Sequence, residues 1–295
     1  MSFIFDIAHT TSYRYAKPVD LGEHRLMFRP RDSHDLRVLA TDLQVNPPAQ
    51  DIRLIQDVYS NSVAVVTPAA TAQELTFVCT FTVEHTGSRA LDLPLDPKAK
   101  NYPFQYDPED RIALQPYLHP YYGEDQPELR QWAVSFVEGE GAHGDLPLDS
   151  REVLVRMTNA VLMSLQYEVR NEEGVQTPSQ TLLRRKGSCR DLATLMIEAS
   201  RLLGYAARFV SGYVYAAELE RTTSSGATHA WLQVYLPGAG WIAFDPTNNL
   251  IGGSELIRVG VARHASLAVP ISGSWHGAPT DYLGMTVDVQ VSKRS

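Results

Sequence analysis

The chain has 295 residues, enough for two ordinary domains with cores of their own. Its 44% apolar and 20% charged residues describe a globular protein, and no window reaches the roughly 18 unbroken apolar residues of a membrane span. A formal charge of −8 argues against nucleic acid, which requires a basic face, and leaves a neutral amide substrate open.

The opening segment, MSFIFDIAHTTSYRYAKPV, has neither the basic nor the apolar region of a secretory leader, so a cytoplasmic location is expected. With two cysteines, Cys79 and Cys189, there is no disulfide framework and no CxxC metal pair. A reducing compartment would keep a thiol nucleophile usable.

Residues 1–95 read as strands. Phe3, Phe5 and Ile7 alternate, as do Leu75, Phe77, Cys79, Phe81 and Val83, with Thr76, Thr80, Thr82 and Glu84 mostly opposite. Turn signals at Asn46-Pro47-Pro48, Ser60-Asn61 and Thr86-Gly87-Ser88 complete the pattern of an antiparallel β-sandwich. Cys79 falls on the apolar face of its strand and reads as core. Residues 96–127 are rich in proline and tyrosine and hold no period, which predicts a linker or a strap across the next domain.

Residues 128–295 read as one α+β domain. Leu129, Trp132, Ala133, Phe136 and Val137 form one helical stripe; Leu154, Met157, Val161 and Leu165 form another, capped by Asp149 with Glu152 three residues on. Thr177-Pro178-Ser179-Gln180 starts a short helix expected to stop at Gly187. The next helix has Ser188 as cap, Asp191 to complete a capping box, a stripe of Leu192, Leu195, Met196, Ala199 and Leu202, and Gly204 as its stop. Strands are predicted at 208–215, 228–236, 241–245, 256–262 and 285–291.

Cys189 lies on the first turn of that helix, where unpaired backbone N–H groups and the helix dipole favour a thiolate. The same N–H groups suit the oxyanion of a tetrahedral intermediate. His229 opens the strand THAWLQVYL and Asp245 ends the strand WIAFD, with Pro237-Gly238-Ala239-Gly240 between them. If that connection is an odd loop or carries a bulge, both side chains share one face. A carboxylate there can fix the imidazole tautomer while the other ring nitrogen faces the thiol. Cys, His and Asp on helix, strand and strand satisfy the needs of thiol acyl transfer.

The segments GVQTPSQTLLRRKGSCRDLATLMIEASRLLGYAARFVSGYV and THAWLQVYLPGAGWIAFDPTNN resemble the catalytic core of the bacterial transglutaminase-like family, related to papain-fold cysteine peptidases. TSYRYAKPVDLGEHRLMFRPR is similar to that family's β-rich N-terminal region. The resemblance implies a β-sandwich followed by a transglutaminase/papain-like core, with Cys189 as nucleophile, His229 as general base and acid, and Asp245 as orienting carboxylate. It further implies a cysteine peptidase or amidase acting through a thioester acyl-enzyme, with transfer to an amine as the alternative and a silent binding module as a third reading. ATP-grasp or proteasome-like pathway proteins are the partners it suggests. Leu256 and His264 stand where relatives often carry His and Asp, touching substrate choice or packing.

Gln176 is either a second oxyanion donor or a loop residue beside a cap. Trp231 either walls the cleft or packs in the core. Arg190 and Asp191 are explained by solvation and capping. The GEGAHG run at 139–144 follows a helix instead of a strand and lacks phosphate-binding geometry. No metal or other cofactor is expected, including the calcium of animal transglutaminases.

Overall fold

The structure is a computed structural model that describes residues 2–69, 71–87, 91–123, 126–138, 147–170, 172–215 and 228–294. The GEGAHG run lies outside the described residues. Five strands come first: β1 (Phe3–Leu26), β2 (Leu36–Asn46), β3 (Ala49–Gln56), β4 (Ser62–Pro68) and β5 (Ala72–His85). A mixed region follows, with α1 (Pro108–Leu118), α2 (Pro127–Val134), α3 (Ser150–Ser164), β6 (Gln166–Tyr167), α4 (Pro178–Arg184), β7 (Lys186–Gly187) and α5 (Cys189–Leu202). The remainder is strand: β8 (Ala207–Val214), β9 (His229–Leu236), β10 (Gly240–Asp245), β11 (Leu250–Ile251), β12 (Leu256–Ala262), β13 (Ile271–His276) and β14 (Tyr282–Lys293).

The alternation read from the sequence produces the N-terminal sheets. Phe5, Ile7, Leu75, Phe77, Cys79, Phe81 and Val83 are all buried, while Thr76, Thr80, Thr82 and Glu84 face outward. The 24-residue β1 is shared between two layers. Its first half pairs with β5 and β14, and its second half with β4 and β13. β2 extends the first layer beyond β5, and β3 extends the second beyond β4.

Two features of the structure lie beyond the sequence reading. Residues 128–295 were assigned to a single catalytic domain, yet β13 and β14 hydrogen-bond to β1 and complete the N-terminal sheets. Strand pairing over that separation leaves no local trace in the sequence. The strap at 96–127, which holds no sustained period in the sequence, contains α1. Pro108 sits at the helix start, where its fixed φ and missing N–H do no harm. Only Leu114 of α1 is buried, so no apolar stripe announces the helix.

The strap is pinned along its length. Tyr106 donates its hydroxyl to the Tyr235 carbonyl (2.8 Å) and accepts the Ala206 N–H (2.9 Å). The Tyr121 and Tyr122 N–H groups both donate to Glu198 of α5 (2.7 and 3.2 Å). His264 stacks on Tyr121 with ring centroids 3.8 Å apart, and its Nε2 meets the Tyr122 hydroxyl at 2.9 Å.

β11-β10-β9-β8-β12 form one antiparallel sheet. α5 packs against β8 and β9 and is flanked by α2, α3 and α4. Its predicted stripe joins Leu232, Val234, Ile242 and Phe244 in the core. The other faces of α5 are covered too, which a stripe alone does not foretell: every residue from Asp191 to Arg201 is buried. Glu198 and Arg201 tolerate this because they pair with each other at 2.6 Å. The sandwich is tied to this half by Arg258 on Asp35 (3.1 Å) and by His9 Nδ1 against the Tyr213 hydroxyl (2.8 Å). Asn61 adds a two-way clamp, donating to the Val261 carbonyl and accepting its N–H (2.7 and 2.9 Å).

Candidate active site

α4 starts with the capping box read from the sequence, Thr177 accepting the Gln180 N–H and Gln180 accepting the Thr177 N–H. It ends earlier than expected. Arg185 takes the left-handed conformation (φ 54°) that closes the helix, and Lys186–Gly187 form β7 beside β6. The need for glycine at 187 is spatial: a Cβ there would lie 2.8 Å from that of Asp191. The chain therefore enters α5 pressed against the Asp191 carboxylate.

That carboxylate organises the helix start. It accepts the Ser188 N–H and hydroxyl (both 2.8 Å), the Gln176 N–H (2.7 Å) and Arg170 Nη1 (2.7 and 2.8 Å). Burial alone would raise its pKa, but Arg170, then Gln176 and Ser188, outweigh burial and hold it below the usual carboxylate range. The sequence suggested a capping role, and four donor groups extend it into an anchor for the loop carrying Gln176. Cys189 follows as the first residue of α5, half-buried.

β9 and β10 supply the other two groups. Leu236 pairs with Gly240, so the connection is the three-residue loop Pro237-Gly238-Ala239. An odd loop preserves side-chain parity, and the register carried one step past Phe244↔Leu232 sets Asp245 across from Trp231. His229 Nε2–H accordingly donates to Asp245 Oδ2 at 2.8 Å. The Cys189 thiol is close enough to the imidazole to contribute to its shift in pKa. With Nε2 committed to Asp245, Nδ1 is the nitrogen left to face the sulfur.

Burial would lower the His229 pKa, but the charge and hydrogen bond of Asp245, followed by Cys189, overcome it and push the value up to about 10. Asp245 is itself fully buried. Its Oδ1 accepts the Thr247 N–H (3.0 Å), and its Oδ2 also accepts Asn248 Nδ2 (2.7 Å).

The remaining candidates separate. Gln176 is 3% exposed, and neither its Nε2 nor its Oε1 has a hydrogen-bond partner among the described residues. Such an orphaned amide beside the nucleophile's loop is an uncommon thing to find buried. Trp231 is 1% exposed and stacks on His229 (centroids 5.9 Å), within a cluster of Val210, Leu256 and Val261. It backs the imidazole from the core side. Leu256 belongs to that packing, and His264 to the strap.

Sequence reasoning missed two neighbours of the site. Tyr167, whose pKa is raised by burial and then by Cys189, sits on a strand of two residues, too short to have a period. Asn248 lies in the turn after Asp245, where Pro-Thr-Asn-Asn signals a turn and nothing more. Among the described residues no group of three or more His, Cys, Asp or Glu is placed to hold a metal ion.

The sequence signature described as the bacterial transglutaminase-like N-terminal region matches residues 5–84. That of the transglutaminase-like superfamily matches residues 141–246, the stretch holding Cys189, His229 and Asp245. The chain belongs to the bacterial transglutaminase-like family. Within this family's reach, the uncharacterised protein Rv2569c of Mycobacterium tuberculosis is 26% identical over 302 residues, covering 97% of this chain and 92% of its own. The uncharacterised Mycobacterium leprae protein ML0607 is 23% identical, with 96% and 97% covered. In three dimensions the transglutaminase-like chain is similar to a candidate cysteine protease from Cytophaga hutchinsonii. The TM-score is 0.71 at 20% identity, covering 99% of this chain and 91% of that one, a likeness of fold.

Proposed function

We propose that the protein is a cysteine hydrolase that cleaves peptide or isopeptide amide bonds, with Cys189, His229 and Asp245 as its catalytic residues. The observation that carries this reading is the buried His229–Asp245 pair, hydrogen-bonded at 2.8 Å, with Cys189 on the first turn of α5 close enough to shift the titration of the imidazole. A His229 value of about 10 favours a thiolate–imidazolium pair at neutral pH.

The thiolate attacks the amide carbonyl carbon, forming a C–S bond and moving the carbonyl π electrons onto oxygen. The first-turn N–H groups of α5 and the Gln176 amide are suited to receive that oxyanion. As the oxyanion collapses, the C–N bond breaks and the amine departs with the proton of the His229 imidazolium. Neutral His229 then takes a proton from water, whose oxygen attacks the thioester. The C–S bond breaks, the acid leaves, and the thiolate–imidazolium pair is restored. Asp245 holds the ring and stabilises its charged form throughout. A reducing compartment suits such a thiol, and no helix among the described residues is long and apolar enough to cross a membrane.

The test is incubation with a glutamine-containing peptide and a labelled primary amine, followed by mass spectrometry. Release of free acid with an acyl adduct on Cys189 supports hydrolysis. Label incorporation would replace it with transfer to an amine, and absence of any Cys189 adduct would overturn both. Gln176→Ala should lower kcat about 10²-fold with little change in KM, as expected of a group engaged mainly in the transition state.

A further inference from the structure

We infer that Asn248 is a positioning residue of this site, holding the Asp245 carboxylate in place for His229. The inference rests on the acyl-enzyme reading above. Asn248 Nδ2 donates to Asp245 Oδ2 at 2.7 Å, the same oxygen that accepts His229 Nε2–H at 2.8 Å. It also lies 3.3 Å from Nε2 itself. One oxygen atom therefore gathers two donors, and the carboxylate's other oxygen is held by the Thr247 N–H at 3.0 Å.

The amide orientation follows from charge. Turning the amide over would set Oδ1 against the Asp245 carboxylate, oxygen against oxygen, with no proton between them. Asn248 Oδ1 has no partner among the described residues, so the side chain is held by what its nitrogen donates to. Rotation of a carboxylate about its last bond is a soft motion. Thr247 alone fixes one oxygen; Thr247 and Asn248 together fix the plane, and with it the direction in which Nε2–H must point. The ring orientation delivered to Cys189 is set in the same way, through Asp245.

The test uses p-nitrophenyl acetate, which acylates an active thiol and releases p-nitrophenolate. A burst matching one acetyl per Cys189 in the wild type, absent in Cys189→Ala, establishes the acyl-enzyme; a burst that survives in Cys189→Ala overturns that reading and leaves Asn248 without a role. With the burst established, Asn248→Ala should slow steady-state turnover about tenfold or more, as expected for a lost hydrogen bond to a charged group. A rate within twofold of wild type overturns the inference.

Asn248→Asp gives the readout that a packing role would not move. A second carboxyl beside Asp245 keeps a shared proton above the usual carboxylate range, and while protonated it can donate as the amide does. Relative to wild type at each pH, Asn248→Asp should match wild type near about pH 5 and fall to the Asn248→Ala level by about pH 8. A ratio that is flat across that range overturns the assignment.

Discussion

Two regions of the molecule hold a cysteine, and they have made opposite things of it. Cys79 sits in the middle of β5, across from His9 on β1 and Leu43 on β2, sealed at 3% exposure. Burial, followed by the charge of Asp42, pushes its thiol up to about 12. Cys189 sits where a helix begins, half-buried, close enough to the His229 imidazole to shift its titration, with a carboxylate hydrogen-bonded to that imidazole. The difference lies in backbone context. A strand interior has spent its N–H groups on neighbouring strands, whereas the first turn of a helix has donors left over. Reactivity here belongs to the address.

The sharpest way to break this contrast is to exchange the two losses. Cys189→Ala should lower turnover by about 10⁴-fold or more while leaving the urea midpoint near wild type. Equal loss from Cys79→Ala would erase the distinction. Next in size is Asp245→Asn, expected to lower turnover by about 10²–10⁴-fold. It also carries a sign. Asp245 contributes most to raising His229 against burial, so without it the His229 value falls. The alkaline limb of the pH–rate profile, governed in wild type by loss of the imidazolium near about 10, should move toward acid. The same linkage acts on stability. A folded value above the unfolded one adds stability that is complete below about 6.5 and disappears as pH climbs through about 10, readable as a falling denaturation midpoint.

Smaller effects sharpen the comparison. Asp191→Ala leaves Arg170 without its buried partner and should destabilise the fold by about 3–5 kcal/mol in urea titration. Cys79→Ala should cost about 1 kcal/mol and leave kcat unchanged. Iodoacetamide should modify Cys189 in the folded protein and reach Cys79 only after denaturation, as peptide mapping would reveal.

How far the sequence could be read depended on the range of each signal. α5 was legible because its cap, its Asp191 box, its stripe and the stop at Gly204 (φ 88°) lie within one short segment. The shared face of His229 and Asp245 was legible as a condition on loop parity, and the three-residue loop meets it. What escaped had no local signature. β13 and β14 join a strand more than two hundred residues away. Tyr167 occupies a strand too short to alternate, and the hydrogen bonds of Asn248 depend on where the turn after β10 folds back. Gln176 was visible as a candidate, but its orphaned amide becomes evident only once burial is known.

The sharing of β1 between two layers has a consequence for how the chain comes into being. β5 can dock on one side of β1 early in synthesis, but the opposite side of its first half stays bare until residues 282–293 have emerged from the ribosome. Throughout that interval a long, partly apolar strand edge is open to other nascent chains or to chaperones. A protein wired in this way should assemble slowly and late, and its yield should respond more to translation rate and chaperone supply than to the strength of any one contact.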